Sequence, residues 1–560
     1  MISKTSYFVF SFFLLVLATV KAQTYGKHGM VVSDDAYASQ VGITILQKGG
    51  NAIDAAVATA FALSVTLPQA GNIGGGGFMV YMPKNRDVTT IDFREKAPLL
   101  ATEDMFLNED GILIPGSNHT GLKSVGVPGT VAGLYLAHQK YGKLLWRDVV
   151  QPSVDLAQNG VSLSYTLATH AKSFSESDAP VFLNNLFRDE SGTLLDFGAL
   201  WKQPALANTL ALIKDHGRDG FYKGPVAEEL AAFMKDHGGL ISKQDLIEYE
   251  AIERQAVKGT YKSYDIYSMS PPSSGGVALI EMMNMMESIN LDSIPFNSTP
   301  YFHLITEVMR RAFADRAEFL GDPDFNDDMP LDQLTSKTFA QNRVSHINMD
   351  KASLSDPSKF GQLYDGNNTT HFSVIDKSGN AVSVTYTLEQ SYGSGMGSPK
   401  LGFLLNNEMG DFNPQFGYTD TGWLIGTAPN KIEPGKRMLS SMTPTIVAKN
   451  GLPYLIIGSP GGRTIISTVF QTILAVLQYD MPIHQAIEAV KIHHQWLPDD
   501  LIYEKYKLSP NVVSALEEMG HHPVSRDQLG RLMGIIVDDI NKVYVGAADS
   551  SSPDGAAIGY

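Results

Sequence analysis

Near its start the chain carries apolar positions with a helical period. Gln40 to Lys48 and Asn51 to Leu63 read as helices, the second opened by an N-capping Asn51 with Asp54 three residues on. Ile53, Ala56, Val57, Ala60, Phe61 and Ser64 mark one face, and the opposite side is also largely apolar, which predicts a helix buried on most faces of a layered core. The pattern then shortens to strands at Met79 to Met82 and Val88 to Phe93, the latter ending at Arg94. Polar-faced helical sequence is expected from about Ser124 to Phe360, broken by the turn at 270–276, with alternating strands beyond Phe360.

The stretch Thr369 to Glu389 reads as a hairpin around the three-residue loop Lys377-Ser378-Gly379, with Gly379 where a left-handed backbone is needed. Pairing about Ser378 sets Thr369 against Thr387, His371 against Thr385 and Ser373 against Ser383, and Phe372 meets Val384. One face is then apolar and the other rich in hydroxyls. Period-two alternation extends that polar face to Glu389, near Thr369. Taken alone, the pattern suits an ordinary half-exposed hairpin. Before it, the polar segment at 362–368 reads as an exposed loop where a chain is cut without unfolding its flanks.

Composition narrows the chemistry. A chain of 560 residues with 43% hydrophobic and 18% charged residues suits a large globular enzyme, and a formal charge of −16 argues against nucleic acid or an anionic membrane as partner. Small-molecule or peptide substrates fit better. Residues 1–22 have the form of a secretory signal, with Lys4, an apolar run from Tyr7 to Val20 and Ala22 at the cleavage point, so an exported, periplasmic or extracellular protein is expected, with no stable membrane span after signal removal. An uncleaved anchor is the alternative. Cysteine is absent, which removes disulfides and a thiol nucleophile.

From about Gly29 onward the chain resembles the γ-glutamyltransferases of the N-terminal-nucleophile hydrolase superfamily. The glycine-rich segment, PPSSGG, TTHFSV, LLNNEMGDF, LSSM and GSPGG occur in the family's order. The resemblance implies a four-layer αββα sandwich of α/β (α+β) class, made as one precursor that cuts itself between Asn368 and Thr369. Residues 23–368 would be the large subunit and 369–560 the small one, both in one composite domain. It implies no cofactor and no metal.

The resemblance makes Thr369 the nucleophile. A threonine hydroxyl needs a base, and the α-amine freed by cleavage, titrating at about 7.7 to 8.0, supplies one on the same residue. Thr387, opposite in the hairpin, is placed to orient it. Tyr454 to Ile457, the turn Gly458 to Gly462 and an apolar helix from Arg463 to Leu477 form a strand, turn and helix N-terminus, and the resemblance assigns Gly461 and Gly462 to the oxyanion. It also assigns Arg94, Ser440 and Ser441 to a substrate carboxylate, and Glu408 and Asp411 to its ammonium. Glu389 stands where many members have Asn, and is expected to join the ammonium subsite without Asn's donor capacity. Asn413 to Arg437, with Phe416, Tyr418 and Trp423, resembles a lid over the pocket.

The expected reaction is transfer of a γ-glutamyl group from glutathione or a related amide to water or to an amino-acid or peptide acceptor. A glutaryl-type (cephalosporin) acylase and a poly-γ-glutamate depolymerase are the nearest rivals, and an exported binding protein on an inactive scaffold is the rival from another class. His493-His494 points to structure rather than a metal, because adjacent side chains diverge. The glycines at 74–77 lack a phosphate-loop pattern and suggest close backbone packing. Asn118-His119-Thr120 and Asn297-Ser298-Thr299 have the form of glycosylation acceptors, meaningful only in a eukaryotic secretory path.

Overall fold

The computed structural model describes residues 23–84, 86–356, 369–421, 424 and 426–560. The expected signal at 1–22, Asn368 and Trp423 lie outside them. The helix Ala52–Thr66 is buried along its whole length, as its apolar pattern predicts, and Asn51 and Asp54 form a reciprocal capping box. The preceding helix begins earlier than expected, at Ala36, because the Asp35 side chain accepts from the Ala38 N–H and caps it.

Two seven-stranded sheets lie at the centre. One runs in the order Ala556–Gly559, Gly29–Ser33, Thr369–Asp376, Ala381–Thr387, Gly76–Met82, Thr89–Phe93, Ile252–Gln255. The other runs Thr24–Gly26, Val543–Ala548, Met533–Asp538, Leu452–Gly458, Thr445–Lys449, Tyr264–Ser268, Val257–Tyr261. Met30, Val32, Val80, Ile375, Ile446, Ile456 and Ile535 pack between them. Helices including Ala52–Thr66 and Thr130–Tyr141 cover the outer face of the first sheet, and Gly275–Glu287, Thr299–Phe319 and Thr464–Tyr479 that of the second. This is the expected αββα sandwich, and both sheets combine strands from before and after residue 368.

Three strands, Ile252–Gln255, Val257–Tyr261 and Tyr264–Ser268, interrupt the region expected to be helical. Two of them close the edges of the two sheets, where charged, half-exposed side chains blur the apolar alternation that marks an interior strand. Beyond residue 369 helices also intervene, Thr464–Tyr479 being the longest. Among the described residues no helix is long and apolar enough to cross a membrane.

The hairpin has the expected register, from Thr369 against Thr387 to Ile375 against Ala381, with Gly379 at φ 82°. Its surroundings differ from a half-exposed hairpin, since every residue of both strands is buried. The hydroxyl-rich face looks onto the second sheet: Ser383 Oγ donates to the Ile457 carbonyl at 3.1 Å and accepts from the Thr445 N–H at 3.1 Å. The glycine segment explains how Gly76–Met82 reaches its neighbour. A Cβ on Gly75 would stand 2.0 Å from the Thr387 carbonyl oxygen, so close backbone packing is the role of that glycine.

Candidate active site

Thr369 begins its strand at the end of the sheet, and Thr387 ends the partner strand beside it. The Thr369 hydroxyl donates to Thr387 Oγ1 at 3.3 Å, and Thr387 Oγ1 also accepts from the Glu389 N–H at 2.8 Å. These residues line a narrow cleft together with Arg94, Glu408, Asp411, Ser440, Ser441 and Gly462, so the fold brings together nearly every residue singled out from the sequence. Gly461 lies one residue behind the lining, turning the chain at φ 132° ahead of the helix Thr464–Tyr479.

His371 shares the polar strand face but is not a base. Its ring is held between Thr385 Oγ1 at 2.8 Å and Ser373 Oγ at 3.1 Å, and burial pushes its pKa down to about 3, so it stays neutral. The two paired strands carry no other imidazole.

Arg94 follows the strand Thr89–Phe93 and is fully buried. Its guanidinium meets Glu408 at 2.5 Å, Glu95 at 3.3 Å and Asp411, and its Nε–H donates to the Met438 carbonyl at 3.2 Å. The cation and anions expected to bind opposite ends of a substrate therefore also bind each other. Burial dominates the acids: Glu95 is pushed up to about 7, and Glu408 is driven well above the usual carboxylate range against the pull of Arg94. Glu408 and Asp411 stand on one short 3-10 turn, Glu408–Asp411. Asn406 fixes that turn, accepting from the Glu408 and Gly126 amides at 3.0 and 2.8 Å and donating to the Gly74 and Gly126 carbonyls at 2.8 Å each.

The SSM segment is positioned by the PPSSGG turn. Ser274 donates to the Ser440 carbonyl from its N–H at 2.8 Å and its hydroxyl at 2.6 Å, and Ser440 N–H donates to the Pro272 carbonyl at 2.9 Å. Sequence reading missed Arg316, which also lines the cleft and donates to Ser441 Oγ at 3.0 Å and Ser274 Oγ at 2.6 Å. It sits inside a long amphipathic helix, where an arginine looks like any solvated charge. His119 and Glu95 were missed too; His119 Nδ1 lies 2.9 Å from Glu389 Oε1.

The described part of the expected lid is anchored by hydrogen bonds. Asn413 donates to the Thr427 carbonyl at 2.7 Å and Asn430 to the Asp411 carbonyl at 2.7 Å, pinning its two ends. Phe416 and Tyr418 are exposed and line no part of the cleft, so they do not exclude water from it.

The ring nitrogens of His493 and His494 are engaged by Ser467, Gln495, Asp499 and the Trp496 N–H, in keeping with a structural role. A second group, His303, Glu307 and His521, has ligand atoms close enough for a metal, but Glu307 is paired with Arg310 and Arg311 and the two rings bond each other at 2.7 Å. Asn118 is buried, which excludes a glycan there.

Residues 38–559 match the family model described as gamma-glutamyltranspeptidase. The chain is 44% identical over 538 residues to a glutathione hydrolase proenzyme of Escherichia coli (strain K12), covering 95% of this chain and 92% of that protein. A crystal structure of Helicobacter pylori gamma-glutamyltranspeptidase aligns with 42% identity and a TM-score of 0.55 over 57% of this chain and 91% of that one. A cephalosporin acylase from Bacillus halodurans shares the fold over the full length, with a TM-score of 0.83 at 23% identity.

Proposed function

This chain belongs to the γ-glutamyltranspeptidase family, and from that premise we propose that it is a self-processing γ-glutamyltransferase and glutathione hydrolase. The observation that carries the reading is the meeting, in one cleft, of Thr369 and Thr387 with Arg94 and its ring of carboxylates. A nucleophile lies beside a subsite of paired charges, as a zwitterionic γ-glutamyl end requires.

In the precursor the Thr369 nitrogen is an amide and has no basicity. Its hydroxyl attacks the Asn368 carbonyl, the acyl group moves from nitrogen to oxygen, and water opens the ester. That step creates the base, since the freed α-amine then accepts the Thr369 hydroxyl proton. Residues 23–368 become the large subunit and 369–560 the small one, and their interleaved strands hold them together.

During turnover the Thr369 oxygen attacks the γ-carbonyl while its proton passes to the α-amine and on to the departing amine. The Gly461 and Gly462 amides, ahead of the helix Thr464–Tyr479, stabilise the oxyanion, a contribution of about 3 kcal/mol per donor. Arg94, Ser440 and Ser441 take the α-carboxylate, and Asp411, Glu408 and Glu389 the α-ammonium. Insertion of the zwitterion exchanges the Arg94 ion pairs for matched pairs with the substrate, so the subsite stays neutralised. Water or an amine acceptor then opens the γ-glutamyl ester. With three carboxylates around it, Arg94 suits a donor carrying an ammonium better than a glutaryl group. The protein acts after export, in the periplasm or outside the cell, as its N-terminal sequence suggests.

The test is Thr369→Ala. It leaves one uncut chain on denaturing electrophoresis and abolishes release of glutamate from glutathione, while the unsubstituted protein yields a small fragment beginning Thr-Thr-His. A variant that still splits and turns over overturns the assignment.

A further inference from the structure

His119 lies in the large-subunit segment, in none of the motifs that mark the family resemblance, yet it is buried beside the acids of the cleft. Its Nδ1 is 2.9 Å from Glu389 Oε1. The ring packs against Gly410, which lies between Glu408 and Asp411 in the chain: a Cβ at Gly410 would stand 2.2 Å from His119 Nδ1. Asn407 ties the two loops together, donating to the His119 carbonyl at 3.0 Å and accepting from the Gln390 N–H at 3.1 Å. The imidazole is thus wedged between the turn that carries two acids and the loop that carries the third.

Glu389 needs such a support. Its backbone is at φ 76°, a left-handed conformation that costs a non-glycine residue energy and persists only where the surroundings enforce it. Burial holds the His119 pKa down, at about 4, so at neutral pH the ring is uncharged. Across that 2.9 Å approach, a neutral ring with its proton on Nδ1 can donate to the carboxylate without cancelling its charge. A lysine or arginine in that place would neutralise the acid and weaken its hold on an ammonium.

Resting on the γ-glutamyl reading of the cleft, we propose that His119 is a positioning residue for donor specificity, holding Glu389 as an oriented carboxylate that selects substrates with an α-ammonium. Its effect is confined to substrates that carry that ammonium. The contacts that hold it run to Glu389 and Gly410, so its effect falls on donor binding rather than on the chemical step.

The experiment compares γ-glutamyl and glutaryl p-nitroanilides on His119→Phe, which keeps the ring's bulk and removes the donor, and on His119→Asn, whose amide restores a donor near Nδ1. For His119→Phe we expect a rise in KM of about tenfold for the γ-glutamyl compound, the size of one lost hydrogen bond to a charged group, with kcat within about twofold. The glutaryl KM stays unchanged, and His119→Asn recovers most of the loss. In a Glu389→Gln background His119→Phe adds nothing. Equal losses on both anilides, no loss on either, or an undiminished loss in the Glu389→Gln background overturns the proposal. Should His119→Phe not fold, as judged by self-cleavage and melting, His119→Leu takes its place under the same criteria. Failure of the unsubstituted protein to cleave the γ-glutamyl anilide sinks instead the reading of the cleft, before any variant is compared.

Discussion

The Thr387 hydroxyl faces that of Thr369 across the strand pair at 3.3 Å and accepts the Glu389 N–H at 2.8 Å, so one side chain sets both the nucleophile and the start of the acid loop. Thr387→Val keeps the shape and removes the oxygen. It should slow both self-cleavage and turnover by about 10- to 100-fold, through a misdirected nucleophile and an unsatisfied buried N–H. Time courses of chain splitting and single-turnover rates check this, and Thr387→Ser should recover most of the activity.

Arg94 meets Glu408, Glu95 and Asp411 while fully buried, so removing it leaves several carboxylates without their cation. Arg94→Met should destabilise the protein by about 3 to 5 kcal/mol, the usual cost of breaking a buried pair from one side. Arg94→Lys keeps the charge but loses the fork, and should raise the donor KM by about a hundredfold with a smaller effect on melting. Thermal denaturation beside donor titrations separates the two effects.

The raised carboxyls predict a pH dependence. Burial sets Glu95 at about 7 and Glu408 above its usual range, so both gain protons as the pH falls, and the negative charge that balances Arg94 and the ammonium is lost. The donor kcat/KM should therefore rise as pH passes up through about 7. The α-amine of Thr369 titrates at about 7.7 to 8.0 and governs kcat separately. Glu95→Gln should flatten the rise near pH 7 in the dependence of KM on pH while leaving that of kcat in place.

Gly75 packs on the strand that ends at Thr387, where a methyl added to its α-carbon would stand 2.0 Å from the Thr387 carbonyl oxygen. Gly75→Ala should cost about 1 to 3 kcal/mol by forcing that strand away, and should slow self-cleavage by displacing Thr387 from Thr369. Melting and the fraction of uncut chain measure the two consequences.

Much of the site was legible because its residues lie in short local patterns. The hairpin register followed from strand alternation and a three-residue turn, and with it the meeting of Thr369 and Thr387. Arg94, Asp411 and the glycine turn were identified through motifs that stand in family order. Residues held by distant partners carried no such signal: His119 sits outside those patterns and Arg316 looks like a surface charge. The edge strands at 252–261 escaped because their charged, half-exposed positions do not alternate clearly.

By itself, the sequence determined the cysteine-free chemistry, the buried helix from Ala52 and the pairing of Thr369 with Thr387, all consequences of residue type and local periodicity. Only the tertiary structure decided that the hairpin's polar face would be enclosed between two sheets, that Arg94 would be bound by the acids it was expected to complement, and that Glu389 would rest on His119. Those outcomes depend on how segments far apart in the chain are brought within a few ångströms, and local periodicity carries no record of that distance.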